Sequence, residues 1–332
     1  MLQLLPANVT AVEALCRKLG WIAPDESIEG LAPAGEGNMN RTLRARLATR
    51  TLILKQSVPF VAKYPQIPAP EDRIATENLF YSRLAADGPL SMRMPARIGF
   101  DASHRLLALE DMGTQGDFLH LYRDGFAELN GRGLFTALIY WLWRLHALQG
   151  IDTAAFANRE MRTLNHQHIF VIPLIPGNGA SIAPGLETIA AQFAADDGLR
   201  NIATQLGEIY LGKTSHASRA CLLHGDYYPG SWLHHHRIGV AIIDPEFAFV
   251  GPPEFDVGVM LAHLTFAGFS QQDLMGTLRS YVTPPGFDYG LAIRFAAIEI
   301  IRRLLGVAQL PLEANAEQRI TWLNTARTMI GT

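Results

Sequence analysis

The sequence predicts an α+β chain of two lobes: a small antiparallel-sheet N-lobe with one helix, and a larger, mostly helical C-lobe. Three observations predict it. At 332 residues the chain exceeds the roughly 250–300 at which one hydrophobic core stops growing. Up to about residue 110 it reads as short strand-like runs around a single helical segment. Beyond Gly113, apolar residues recur at helical spacing almost to the C-terminus.

The N-lobe begins with SIEGLAPAG, TLRARLA and TLILKQ in residues 27–56, broken by glycine and polar residues as a curled antiparallel sheet requires. The proline-punctuated loop VPFVAKYPQIPAPED follows. Residues 74–86 then carry apolar side chains at helical spacing, and PARIGF and HRLLALED return to strand character, so one helix interrupts five strands. The lobes meet across LEDMG, residues 109–113, giving domains of 1–110 and 111–332. In the second lobe LFTALIYWLWRLHAL, LETIAAQFAADDGLRNIATQLGEIYL, FDVGVMLAHLTFAGF, YGLAIRFAAIEIIRRLLGVAQL and AEQRITWLNTARTMI read as helices. Two short strands, ACLLHG and VAIIDP, each deliver an aspartate at or just past the end of an apolar run.

Composition narrows the function classes. With 48% hydrophobic and 18% charged residues the chain can bury a large core, which argues against disorder. A net charge of -3 offers no global attraction to nucleic acid or to an anionic membrane, so any basic site must be local, and neither the aromatics around Trp141 nor those at Phe247 and Phe249 interleave with basic residues as a nucleic-acid surface would. Cys16 and Cys221 lie far apart in apolar surroundings and read as inert core thiols in a reducing cytoplasm. The N-terminus lacks a basic leader, and the apolar run GLFTALIYWLW is cut short by Arg144, so neither a signal peptide nor a membrane span is expected. Trp141, Trp143, Leu145 and a hydrogen-bonded His146 are expected in the core, and Phe247 and Phe249 beneath the loop that precedes them.

The chemistry concentrates in HGDYYPGSWLHHHRIGVAIIDPEF, residues 224–247. Gly225 lets the backbone turn sharply so that Asp226 points into a cleft, and Asp244 and Glu246 follow the second strand at the same edge. Three carboxylates can divide labour: one accepts the proton of an attacking hydroxyl while the others hold magnesium against nucleotide phosphates. A rival is a transition-metal site built on His224, His234, His235 and His236. Consecutive strand residues point to opposite faces, so the three adjacent histidines cannot all reach one ion easily, and a solvated hairpin accounts for them better. In the first lobe Lys55 ends a strand, following the turn AGEGNMN whose Gly35, Gly37, Asn38 and Asn40 could fold over phosphates. Glu77, on the next helix, is placed to pair with Lys55.

That order resembles the aminoglycoside phosphotransferase and choline kinase group of small-molecule kinases, which have a protein-kinase-like fold. The more discriminating segments, LKQSVPFV, DRIATE, LEDM, DPEFAFVGPPEFDVG and IRRLLG, are most similar to the methylthioribose kinase branch. The resemblance implies that Asp226 is the catalytic base and that Arg302 and Arg303 contact the phosphoryl group or substrate oxygens. It implies Asp244 and Glu246 as magnesium ligands, Lys55 on ATP phosphates held by Glu77, and backbone groups near Glu110 and Met112 on adenine. Asp256 would support the catalytic loop internally. Many relatives carry asparagine where this chain has Ser231, which favours the methylthioribose branch and shifts metal binding onto Asp244 and Glu246. Tyr227-Tyr228-Pro229 replaces the usual loop and narrows the acceptor side, while residues 117–122 and 165–176 carry no readable sugar signature.

The expected activity is ATP- and magnesium-dependent phosphorylation of a small sugar, the anomeric hydroxyl of 5-methylthioribose or a close analogue, a step of methionine salvage. Another small alcohol as acceptor, a catalytically silent ATP-binding protein and a metal hydrolase stay open as alternatives. The partners expected are a small-molecule sugar or alcohol and, from the resemblance, a second copy in a homodimer; no stretch identifies the dimer contact.

Overall fold

Alternating polarity decides the first sheet. In β2 (Arg41–Leu47), Leu43, Ala45 and Leu47 are buried while Arg44 and Arg46 point the other way. In β3 (Thr51–Gln56), Leu52 and Leu54 share the buried face, and the two-residue period turns Lys55 to the opposite one. The buried face packs under α1 (Val9–Lys18) through Val12 and Cys16. No expectation covered this helix, because its exposed side is polar and its apolar stripe is thin.

The structure is a computed structural model that describes residues 2–35, 39–125, 127, 129 and 133–331. It shows the five expected strands as one antiparallel sheet, with β1 (Ile28–Pro33), β7 (Leu106–Glu110) and β6 (Arg97–Asp101) completing the order β1-β2-β3-β7-β6. Register sets Lys55 between Thr42 and Leu107. The proline-rich loop contains a small hairpin of β4 (Phe60–Val61) and β5 (Tyr64–Pro68). After it, α2 (Arg73–Leu84) buries a stripe of Arg73, Glu77, Tyr81 and Leu84 at helical spacing.

Two compact units result, Met1–Gly116 with Leu233–Ala248, and Asp117–Trp232 with Phe249–Thr332. The boundary lies beyond the expected residue 110, and residues 233–248, expected with the second lobe, belong to the first. Hydrogen bonds explain this membership. His234 N donates to Gly116 O at 3.0 Å, Ile242 N to Arg93 O at 2.6 Å, and Arg93 Nη1 to Ile238 O at 2.7 Å. Accordingly the two aspartate-delivering strands do not share a sheet edge. β8 (Cys221–Leu223) pairs with β11 (Phe249–Gly251), whereas β10 (Gly239–Ile242) pairs with β9 (Trp232–His235).

The second unit holds α3 (Leu134–His146), α4 (Arg159–His166), α5 (Glu187–Ala195), α6 (Asp197–Tyr210), α7 (Pro253–Phe266), α8 (Gln271–Ser280), α9 (Tyr289–Leu305) and α10 (Ala316–Gly331). The segment read as one helix from residue 186 splits at Asp196, whose extended backbone and side-chain bond to Leu199 N at 3.0 Å cap α6. α4 and α8 were not anticipated; both are polar, and α8 is started by the reciprocal Ser270–Asp273 capping box. No helix of the described residues is long and apolar enough to cross a membrane. Cys16 and Cys221 are free and buried; burial pushes the Cys16 thiol up to about 11. Trp141, Leu145 and His146 are core as expected, whereas Trp143 is only half-buried against Tyr140.

α7 is buried along its whole length and meets α9 at Gly258. A Cβ there would lie 2.6 Å from Phe295 Cβ and 2.8 Å from Ala292 O. Only glycine permits this approach, so Gly258→Ala is expected to lower unfolding stability by about 1–3 kcal/mol, the usual cost of overpacking a filled core. Urea titration of the two proteins reads this directly; equal midpoints would show that the helices can part without cost.

Candidate active site

In the first unit the site is built around a buried cation. Lys55 projects from β3 on the face opposite α1, and α2 brings Glu77, which is completely buried, within 2.6 and 2.8 Å of its Nζ through both carboxylate oxygens. Asp244 approaches the same nitrogen at 2.7 Å. Burial opposes the charge on Lys55, but Asp244, Glu77 and Glu246 outweigh it and hold the ammonium above its ordinary value. Asp244 presents this oxygen from a left-handed backbone, φ 64° and ψ 48°. A non-glycine residue held there costs on the order of 1–3 kcal/mol, a strain found mainly where a side chain must be aimed.

Glu246 is buried two residues on, its Oε2 accepting from Asn40 Nδ2 at 2.8 Å with Arg73 Nε 3.5 Å away. Burial, only partly offset by Lys55, pushes its carboxyl up to about 8. Arg73 is fully buried and gathers the surrounding loops, donating to Asn40 Oδ1 at 2.9 Å and to the carbonyls of Val58, Pro70 and Met39 at 2.9, 2.6 and 2.6 Å. Asn40, expected in a phosphate-covering turn, is therefore an internal brace of that turn. Gly35 lies at its start with φ 152°, while Gly37 and Asn38 lie outside the described residues. At the end of β7, Glu110 N donates to Ala96 O at 2.8 Å and its carboxylate accepts from Ala96 N at 3.0 Å. Met112 is buried, and Arg44 ties Asp111 and Gly113 O with bonds of 3.0 and 2.8 Å.

In the second unit Gly225, at φ 84°, makes the sharp turn expected after β8. Asp256 clamps that turn: its Oδ2 accepts from His224 N at 2.7 Å and its Oδ1 from Gly225 N at 2.9 Å. His146 Nε2 lies 3.2 Å from the same Oδ2, and its Nδ1 is 2.5 Å from Tyr281 OH, which satisfies this core histidine on both sides. The clamped turn leaves the Asp226 side chain 18% exposed, with Arg303 Nη2 3.2 Å from Oδ1. Burial raises the Asp226 carboxyl above its ordinary value, opposed first by Arg303 and then by Arg302. Ser231 donates its hydroxyl to Asp226 O at 2.9 Å.

The adjacent arginines differ. Arg303 places Nε 2.5 Å from Glu299 Oε1 and Nη2 on Asp226, while Arg302 places Nη1 2.9 Å from Glu299 Oε2 and keeps a buried Nε without a partner. Of the two tyrosines after Asp226, Tyr227 is buried, stacked on Trp141 and bonded to Leu138 O at 2.9 Å; Tyr228 lies under Arg303, 4.8 Å from ring centre to guanidinium.

Phe249 packs on Tyr210 and Phe255 in the second unit, and Phe247 is half-buried. The histidine run is a hairpin: His235 Nδ1 closes its turn by accepting from Arg237 N and Ile238 N, both at 3.3 Å. Among the described residues no three His, Cys, Asp or Glu side chains gather as a metal cage. Glu299, His263 and Tyr122 went unnoticed in the sequence, although Glu299 lies one helical turn before both arginines, a spacing that signals ion pairing.

Known proteins resemble this chain. A methylthioribose kinase from Exiguobacterium sibiricum is 25% identical over 252 residues, 72% of this chain and 61% of its own length. One from Bacillus mycoides is 22% identical over 333 residues, 86% of this chain and 82% of its own. The chain thus spans little more than three fifths of the Exiguobacterium relative. Among solved structures, choline kinase from Cryptosporidium parvum superposes with a TM-score of 0.57 at 12% identity, covering 97% of this chain and 96% of that one. Choline kinase LicA from Streptococcus pneumoniae gives 0.54 at 13%, covering 97% and 99%. These two likenesses establish the protein-kinase-like fold. Residues 30–291, well over half of the sequence, match the model of the phosphotransferase enzyme family, and to that family this chain belongs.

Proposed function

We propose that the protein is an ATP-dependent small-molecule kinase that transfers the γ-phosphate to a sugar hydroxyl, with methylthioribose as acceptor and the 1-phosphate as product. The observation that carries the reaction class is Asp226, a carboxylate on a glycine turn clamped by Asp256 and met by Arg303. The acceptor rests on the methylthioribose kinases that the chain resembles.

In this reading Lys55, held by Glu77, binds the donor phosphates as a fixed point charge. Adenine would meet the end of β7 through Glu110 O and Met112 N, since Glu110 N is already bonded to Ala96 O. Magnesium, a hard cation, suits carboxylate oxygens. Asp244, with 40% of its side chain exposed, would be the principal ligand; Glu246, with Oε2 on Asn40, would have to approach through its other oxygen. With only these two carboxylates, the nucleotide phosphates and water would complete the coordination, and the ion would neutralise phosphate charge. The protein's own steps are positional. Asp226 orients the acceptor hydroxyl and takes its proton as the oxygen attacks, and Arg303, with Arg302 beside it, meets the charge on the phosphoryl oxygens. A homodimer, the metal and the cytoplasmic setting remain part of this proposal.

Asp226→Asn is expected to lower turnover by about 10²–10⁴-fold while ATP affinity changes little, because the base is removed and the Lys55 site is untouched. Parallel ADP-release and nucleotide-titration experiments read both quantities; full turnover in the variant would remove Asp226 from the role. The base must be ionised, so the wild-type rate should fall with decreasing pH through the raised Asp226 pKa, at a pH above the ordinary carboxylate range. A pH–kcat/KM profile with its acid limb at an unperturbed carboxyl would contradict this. Across a panel of methylthioribose, choline, aminoglycosides and no acceptor, ADP should form fastest with methylthioribose; preference for an amine would transfer the protein to another acceptor class.

A further inference from the structure

We propose that His263 is a positioning residue for phosphoryl transfer, setting through Glu299 the arginine that meets Asp226. The inference rests on the reading of Asp226 as the base and deepens it by naming what orients the base's partner.

His263 is fully buried in α7. Its Nε2 lies 3.2 Å from Glu299 Oε1 and its Nδ1 2.5 Å from Tyr122 OH. Glu299 also receives Arg302 Nη1 at 2.9 Å and Arg303 Nε at 2.5 Å. Burial alone would raise this carboxyl, yet Arg302, Arg303 and His263 hold it well below the usual range, so it is an ionised acceptor. An ionised carboxylate cannot donate, so His263 carries its proton on Nε2 and leaves the Nδ1 lone pair to accept from Tyr122. Burial pushes the imidazole down to about 4, consistent with this neutral tautomer. Each donor is thereby assigned along the line Tyr122 to His263 to Glu299, and from Arg303 to both Glu299 and Asp226.

The geometry explains why the line matters at its far end. Glu299 and Arg303 share α9 one turn apart, so either side chain can rotate without breaking the helix. The His263 proton falls on Oε1, the oxygen that Arg303 Nε uses, and fixes the carboxylate rotamer. Tyr228 completes the grip, with its ring 4.9 Å from the His263 ring and 4.8 Å from the Arg303 guanidinium. Loss of the imidazole donor would let Glu299 turn toward Arg302. The 3.2 Å contact from Arg303 to Asp226 is already at the long end of hydrogen bonding and would break with a small displacement.

The test uses the full chain and two substitutions. His263→Phe keeps a ring and removes the donor; His263→Gln keeps an N–H directed at Glu299. The rate of transfer, the KM for ATP and the titration of the Asp226 carboxyl by carbon NMR, assigned with Asp226→Asn, are measured for each. Asp226 senses Arg303, Arg302, Glu299 and His224, so departure of Arg303 should move its titration upward. In His263→Phe the expected result is a fall in kcat of about 10–100-fold, KM for ATP within about twofold, and a raised Asp226 titration. His263→Gln should stay within about threefold of wild type, because the donor is retained. A wild-type kcat and Asp226 titration in His263→Phe, or an equal loss in both variants, would overturn the proposal. If His263→Phe fails to fold, His263→Asn, whose shorter amide sits at the Nδ1 position and cannot hold an N–H on Glu299, takes its place. A raised Asp226 titration in it supports the proposal and an unmoved one overturns it. Wild-type protein that phosphorylates no acceptor would defeat the kinase reading alone, since the carboxyl titration still decides the role of His263.

Discussion

A helix buried on every side cannot carry an unpaired charge, and α7 carries three ionisable side chains. Glu254 accepts from Ser218 Oγ and Asp288 N, both at 2.8 Å, and so fastens the start of α9. Asp256 accepts from the two amides of the turn that presents Asp226, and His263 reaches the carboxylate beneath the arginine pair. Losing either partner of such a bond would strand a polar group away from water at about 1–3 kcal/mol. The buried helix is therefore a rigid base from which the second unit aims its chemistry.

The first unit solves the opposite electrostatic problem. Lys55 and Arg73, both buried, are compensated by carboxylates and by carbonyls of the loops around them. Their partners come from segments far apart in sequence, Glu77 on α2 and Asp244 beyond β10, so the cations pull the turn after β1, the helix and the Asp244 segment into one arrangement. The left-handed Asp244 is the visible cost of that arrangement. The strain at Asp244 is held in place by the buried lysine that its carboxylate meets.

Much of this was legible in the sequence, for identifiable reasons. The two-residue alternation in TLRARLA and TLILKQ places Lys55 on the face away from α1, and a glycine after a buried strand marks the turn at Asp226. What escaped has one physical character: its partners are set by tertiary packing. His263 and Glu299 are separated by 36 positions, and nothing local distinguishes that histidine from a core filler. Asn40 reads as a turn residue until the buried Arg73 is seen to hold it. The placement of residues 233–248 with the first unit depends on backbone bonds to Arg93 and Gly116 that no periodicity encodes. Polar helices such as α4 and α8 escaped because their apolar stripe is too narrow to register.

The central claim is that a glycine turn clamped by Asp256 holds Asp226 where it can take a proton from an acceptor. The most direct measurement is a crystal structure with a non-hydrolysable ATP analogue, magnesium and methylthioribose. The account predicts one sugar hydroxyl seated within about 3 Å of an Asp226 oxygen, with the His224 and Gly225 amides still on Asp256. A bound sugar whose hydroxyls all lie beyond hydrogen-bonding reach of Asp226 would contradict it.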